Sequence, residues 1–139
     1  MRQGIKERRL QHITIGDLDH SRVVRLANSA LERMPEIAEE LLFEMDRAKV
    51  AKQDRLPADV VRMGSTVTVE DENGETRRIT LVYPGEADIA AGRMSILTPL
   101  GTAIIGLAKG QSVRWSARDG RTLALRILAV EPPDTASTH

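Results

Sequence analysis

The sequence predicts an α+β protein with helices first and strands after, on three observations. Two apolar stripes at helical spacing flank Pro35. Beyond Pro57 the apolar period falls to two. The dipeptides Asn73-Gly74 and Asp119-Gly120 each sit between alternating runs, where the turns of β-hairpins belong. The chain has 139 residues, 41% of them apolar and 29% charged, which suits one ordinary domain, or a small domain with a helical appendage, around a true core.

Residues 1–16 read as an irregular lead, with Lys6–Arg9 a solvated basic cluster. Residues 17–56 predict a short antiparallel coiled-coil hairpin. In its first arm Val23, Ala27, Ala30 and Met34 recur every three or four positions beside Val24 and Leu31, with Asp17 placed as N-cap. Pro35 ends that arm and suits the first turn of the next. The second stripe is Ile37, Leu41, Met45 and Ala48, widened by Ala38 and Leu42. Its polar face is acidic early (Glu36, Glu39, Glu40, Glu44) and basic late (Arg47, Lys49, Lys52), which complements the helix dipole. Arms of about 16 residues would be roughly 25 Å long.

Pro57 disfavours helix at Leu56, so residues 52–65 read as a joint that leaves the relative orientation of the two parts open. Residues 57–131 then predict an antiparallel β domain with one short helix. Val67 and Val69 alternate before Asn73-Gly74, and Ile79 and Val82 after it. Further strands are predicted at residues 93–97, 112–117 and 122–130, with residues 84–92 an irregular link. Leu100 to Ala108 predicts one or two helical turns laid across the sheet. Thr98 would cap them, Pro99 would take the first helical position, and Lys109-Gly110 would mark the exit. Leu100, Ile104, Ile105 and Leu107 are candidate core. Residues 132–139 read as a flexible tail.

Composition excludes several functions. Formal charge is zero, with 20 basic and 20 acidic residues, and neither side of Pro57 is a polycation, so bulk electrostatics nominate neither nucleic acid nor an anionic membrane. Phe43, Tyr83 and Trp115 are the only aromatic residues, too few for base-stacking surfaces. Without cysteine there is no disulfide or thiolate chemistry. The charged lead lacks a signal peptide's apolar region, and no apolar run reaches membrane-spanning length, so a cytoplasmic protein is expected. His12, His20 and His139 lack ligand spacing, and the helix-two carboxylates spread along an axis instead of converging. No metal, cofactor or catalytic residue is therefore expected. "GLAKGQS" lacks the spacing of a phosphate loop, and no serine sits in a nucleophile elbow.

Four blocks, "DVVRMGSTVTV", "TLVYP", "SILTPLGTAIIGLAKGQSV" and "LALRILAVE", in that order, resemble the Rnk family, relatives of the bacterial Gre transcript-cleavage factors. The resemblance spans residues 15–131. It implies a C-terminal FKBP-like domain carried beside a short coiled coil, and binding to RNA polymerase at the rim of its secondary channel. In Gre-like proteins the binding loop carries Ser-Pro before a short helix; here Thr98-Pro99 stands in that place, so Leu97, Thr98, Pro99 and Leu100 are the implied contacts. Leu97 replaces a residue that is often polar in relatives. The hairpin tip offers Glu32, Arg33 and Glu36 but no D-x-x-E pair, and its arms are shorter than those of cleavage factors. The expectation is a monomeric, non-enzymatic regulator that competes with Gre-type factors without stimulating cleavage or reading DNA sequence. The alternatives are a transcript-cleavage factor using Glu32 and Glu36, a peptidyl-prolyl isomerase, and a helical adaptor for another protein.

Overall fold

A computed structural model describes residues 11–117 and 119–133; the Lys6–Arg9 cluster, His139 and most of the predicted tail lie outside the described residues. The two apolar stripes form helices α1 (Asp17–Ala30) and α2 (Pro35–Arg47). At 14 and 13 residues they span about 20 Å each, shorter than predicted, because residues 31–34 leave the helix to make the turn. Pro35 opens α2 as its first residue. Val23, Ala27, Ala30, Ala38, Leu41 and Met45 are buried, so each stripe faces the core.

The lead is not irregular throughout. Thr14–Gly16 forms strand β1 and pairs in parallel with β2 (Lys49–Ala51), closing the base of the hairpin. A helical hairpin returns the chain to its starting end, which sets the flanking segments side by side, and three residues are too few to show a period. The predicted cap at Asp17 is also corrected. Gly16 holds the N-cap position and has no side chain to cap with. Gln53 caps it from across the base: its carboxamide oxygen accepts from the Asp19 N–H (2.9 Å), while its backbone N–H donates to Asp17 Oδ1 (3.0 Å).

Five strands make the main sheet: β3 (Thr66–Asp71), β4 (Thr76–Val82), β5 (Arg93–Ser95), β6 (Ser112–Ser116) and β7 (Thr122–Glu131). Their order is β5-β4-β3-β7-β6. Hairpins β3–β4 and β6–β7 turn at Asn73-Gly74 and Asp119-Gly120, and β3 pairs antiparallel with β7. β5 runs parallel to β4, so the sheet is mixed and not wholly antiparallel. Residues 83–92 form the crossover that parallel pairing demands, through short 3-10 turns at Pro84–Glu86 and Ile89–Ala91.

Helix α3 (Pro99–Ile104) is a single short element that ends before Lys109-Gly110. Gly106, not Gly110, lets the chain leave it: φ is +83° there, and a Cβ would stand 2.8 Å from Ile13 Cβ. Leu100, Ile104, Ile105 and Leu107 are buried, as expected of candidate core.

One continuous core joins Val23, Leu41 and Met45 of the hairpin to Ile104, Ile105 and Ile127 of the head. The joint at residues 52–65 is laced into both sides. Asp19 Oδ2 accepts from the buried Met63 N–H (3.1 Å), and Val61 exchanges backbone bonds with Gly106 and Leu107 (2.9 and 2.8 Å). The hairpin therefore lies against the head, with its orientation set by buried bonds. Along this seam the Arg22 guanidinium sits 4.5 Å over the Tyr83 ring. Burial, helped by the nearby Asp19 carboxylate and opposed by Arg22, pushes the Tyr83 hydroxyl up to about 12. Among the described residues, no helix is long and apolar enough to cross a membrane.

Candidate docking site at the Thr98-Pro99 corner

The chain leaves β5 into a corner in which every hydroxyl is used. Ser95 Oγ accepts from the Leu97 N–H (2.9 Å). Thr98 donates its hydroxyl to the Ser95 carbonyl (2.8 Å) and accepts from the Gly101 N–H (3.0 Å), which makes it the N-cap of α3. Thr102 donates its own hydroxyl to the Ile96 carbonyl (3.0 Å) from a buried position. Pro99 takes the first helical position, where its missing N–H costs nothing. Gly101 is required by close approach: a Cβ there would lie 2.5 Å from the Ser95 carbonyl oxygen. Sequence and geometry thus produce a stiff corner held from beneath.

Of the four residues implied as contacts, Thr98 and Pro99 are half-buried and reach the surface. Leu97 and Leu100 do not. They are 6% and 4% exposed and fill the core under the corner, so their place as surface contacts is corrected. Leu97 is apolar for that reason: its side chain points into the protein.

Pro99 is one wall of an open groove of about 570 Å³. The other wall is the hairpin turn and the start of α2, with Arg33, Met34, Pro35, Glu36, Ile37 and Glu40; Ser116 and Ala117 at the end of β6 complete the head side. The fold thereby brings together two sets of residues that the sequence had placed in separate regions. Arg33 and Glu36 join Pro99, whereas Glu32 is exposed outside the groove lining. In the sequence Ile37 reads as core stripe and Glu40 as solvated face; the i, i+4 spacing of Glu36 and Glu40 is the signal that puts both on one side of α2. Among the described residues no cluster of three or more His, Asp or Glu is placed to hold a metal ion. His12 is exposed, and the His20 ring nitrogen bonds the Met45 carbonyl (3.0 Å).

Residues 56–132 match the family described as "Transcription elongation factor, GreA/GreB, C-term", and residues 11–50 match "Rnk N-terminus". The Regulator of nucleoside diphosphate kinase of Escherichia coli (strain K12) is 35% identical over 130 residues, covering 91% of this chain and 95% of that protein. The chain belongs to the Rnk family. Transcription elongation factor GreA of Azorhizobium caulinodans is 44% identical over 75 residues, covering 53% of the chain and 48% of that protein, so the Rnk-family chain spans about half the length of this longer relative. A solved transcription elongation factor GreA/GreB from Nitrosomonas europaea superposes with a TM-score of 0.71 at 35% identity, over 86% of this chain and 98% of that one. These relatives are named as regulators or factors, not as enzymes.

Proposed function

We propose that this Rnk-family chain is a non-enzymatic transcription regulator that binds RNA polymerase at the rim of the secondary channel through the Thr98-Pro99 corner. On this reading it acts as a cytoplasmic monomer, competes there with Gre-type factors, and does not stimulate transcript cleavage. The observation that carries the reading is the corner itself. It is a preorganised, partly exposed loop in the half of the chain that matches the GreA/GreB family, and a loop already ordered loses little freedom on binding. The absence of cleavage is supported by the placement of the hairpin turn. Arg33 and Glu36 line the same groove as Pro99, so the turn stops beside the docking corner instead of extending beyond it.

Core polymerase immobilised on beads is expected to retain the chain at micromolar concentration, and a Gre-type factor to displace it. Backtracked complexes incubated with the chain are expected to release no 3′ fragment. Failure to bind removes the proposal, and released fragments would replace it with the cleavage-factor reading.

A further inference from the structure

We propose that a second groove, where α1 meets the chain leaving β4, is a docking site for an acidic polypeptide segment of RNA polymerase, whose carboxylates pair with Arg22 and Arg25. The inference rests on the reading that the chain binds polymerase, and adds a contact that shares no residue with the groove at Pro99.

Arg22, Arg25, Leu26 and Ser29 line the α1 side of this open groove of about 420 Å³, and Tyr83 and Pro84 line the other. Residues three, four and seven positions apart share a helix face, which brings the four α1 side chains together. Leu18, one turn before Arg22, extends that face and is 63% exposed. The lining carries two guanidiniums and no carboxylate. Among the described residues, neither guanidinium donates a hydrogen bond or forms an ion pair; Arg22 is held over the Tyr83 ring. Two acids act on the Tyr83 hydroxyl, but neither is presented in the groove. Asp19 is 8% exposed, with its carboxylate accepting from the Met63 N–H, and Glu86 lies outside the lining. The surface that a partner touches is therefore cationic. A guanidinium presents its N–H donors in a rigid fork that matches a carboxylate, and two such forks at i, i+3 receive two carboxylates side by side. The contact with Tyr83 places Arg22 before binding, so less freedom is lost when the partner arrives. Leu18, Leu26 and Pro84 supply apolar surface beside the charges, as a protein partner requires. A nucleic acid would need open ring faces, and Arg22 already covers the ring in this groove.

The test measures retention of the full chain by immobilised core polymerase over a series of salt concentrations. Arg25→Glu is expected to raise Kd about tenfold and Arg25→Ala about threefold, each with a weaker salt dependence than the wild type. Both should melt as the wild type does, because Arg25 is exposed and makes no bond among the described residues. Arg77→Glu is the control: it makes the same change of charge six residues along the extended chain from Tyr83, roughly 20 Å away, and should leave Kd unaltered. An unchanged Kd for Arg25→Glu overturns the groove and leaves docking through the corner intact. Equal weakening by Arg77→Glu overturns it as well, since overall charge would then govern binding. No retention of the wild type removes the polymerase reading itself. A photo-crosslinking residue at Ser29 is expected to capture a polymerase peptide that carries Asp or Glu. Capture of a peptide without acidic residues, or no capture while binding persists, overturns the assignment. Binding of a fluorescein-labelled single-stranded RNA that Arg25→Glu abolishes would assign the groove to nucleic acid and likewise overturn it.

Discussion

On the head side of the groove, Ser95, Thr98 and Thr102 direct their hydroxyls to backbone groups, and Gly101 sits where no side chain fits. On the hairpin side, the hydrogen bonds that hold residues 31–34 are, among the described residues, backbone ones: the Met34 N–H reaches the Ala30 carbonyl at 2.8 Å, the Leu31 N–H reaches the Asn28 carbonyl at 3.4 Å, and no side chain caps α2. The first wall is over-determined by polar contacts within eight residues of sequence. The second is positioned from a distance, by the apolar stripe of α2 and the bonds at the hairpin base. A local defect should therefore disable the head wall, whereas the hairpin wall should yield only when its seam with the head is loosened.

The largest effect is expected from Gly101→Ala. The added methyl would press on the Ser95 carbonyl oxygen and on Ile96 Cα, at 3.1 Å, and both are backbone atoms that cannot rotate away. Overpacking of this kind costs about 3 kcal/mol. Urea denaturation should register that loss, and polymerase retention should fall with it. Wild-type stability would mean that the corner is softer than its contacts imply, and that the two walls are alike in stiffness.

Thr98→Ala is the milder version of the same break. It removes the cap on the Gly101 N–H and the donation to the Ser95 carbonyl, but leaves the backbone room to stay in place. A lost N-cap costs about 1 kcal/mol, and Thr98→Ser, which keeps the hydroxyl, should restore nearly all of it. The informative measurement is binding at a temperature where both variants are folded. The alanine chain should bind more weakly than the serine chain, because the corner must then be ordered by the partner. Equal binding by the two would show that stiffness at Thr98 does not matter to docking.

Much of this arrangement was legible in the sequence, for reasons of period and turn chemistry. Val23, Ala27 and Leu41 announce buried helix faces through their spacing, and Asn73-Gly74 announces its hairpin because both residues suit the turn. The Thr98 cap and the Pro99 first turn are local chemistry and could be read directly. What could not be read depends on partners remote in sequence. Gln53 caps α1 across 34 positions, Asp19 reaches Met63 across 44, and β1 finds β2 through three residues a side. The family resemblance made Leu97 and Leu100 contacts; for Leu100 the sequence also offered the core reading that the fold bears out, whereas only the fold shows that Leu97 turns inward. The groove was invisible for the same reason, since residues 33–40 and Pro99 become neighbours through the core and not through any motif.

The smallest effect tests the seam on which the hairpin wall stands. Tyr83 lies under the Arg22 guanidinium, and its hydroxyl oxygen is buried with no hydrogen-bonding partner among the described residues. Removing that oxygen forfeits no bond, so Tyr83→Phe should change stability at pH 7 by no more than about 0.5 kcal/mol. Alkaline pH separates the two chains. Below pH 10, the ordinary phenol value, Tyr83 is protonated in folded and unfolded chains alike, and its contribution is complete. As pH rises toward 12, the unfolded chain gives up the proton first, because burial and Asp19 hold it in the folded one, and stability falls. The ring is only partly buried, so water screens the effect and the fall attributable to Tyr83 should be roughly 1 kcal/mol. Urea midpoints of the two chains, compared from pH 9 to 12, isolate this term from the other groups that titrate there. A gap that opens above pH 10 in favour of Tyr83→Phe means that the seam excludes water and fixes the hairpin wall. Parallel curves would mean that the seam is wet and the hairpin free to move, and the groove would then be shaped by its partner.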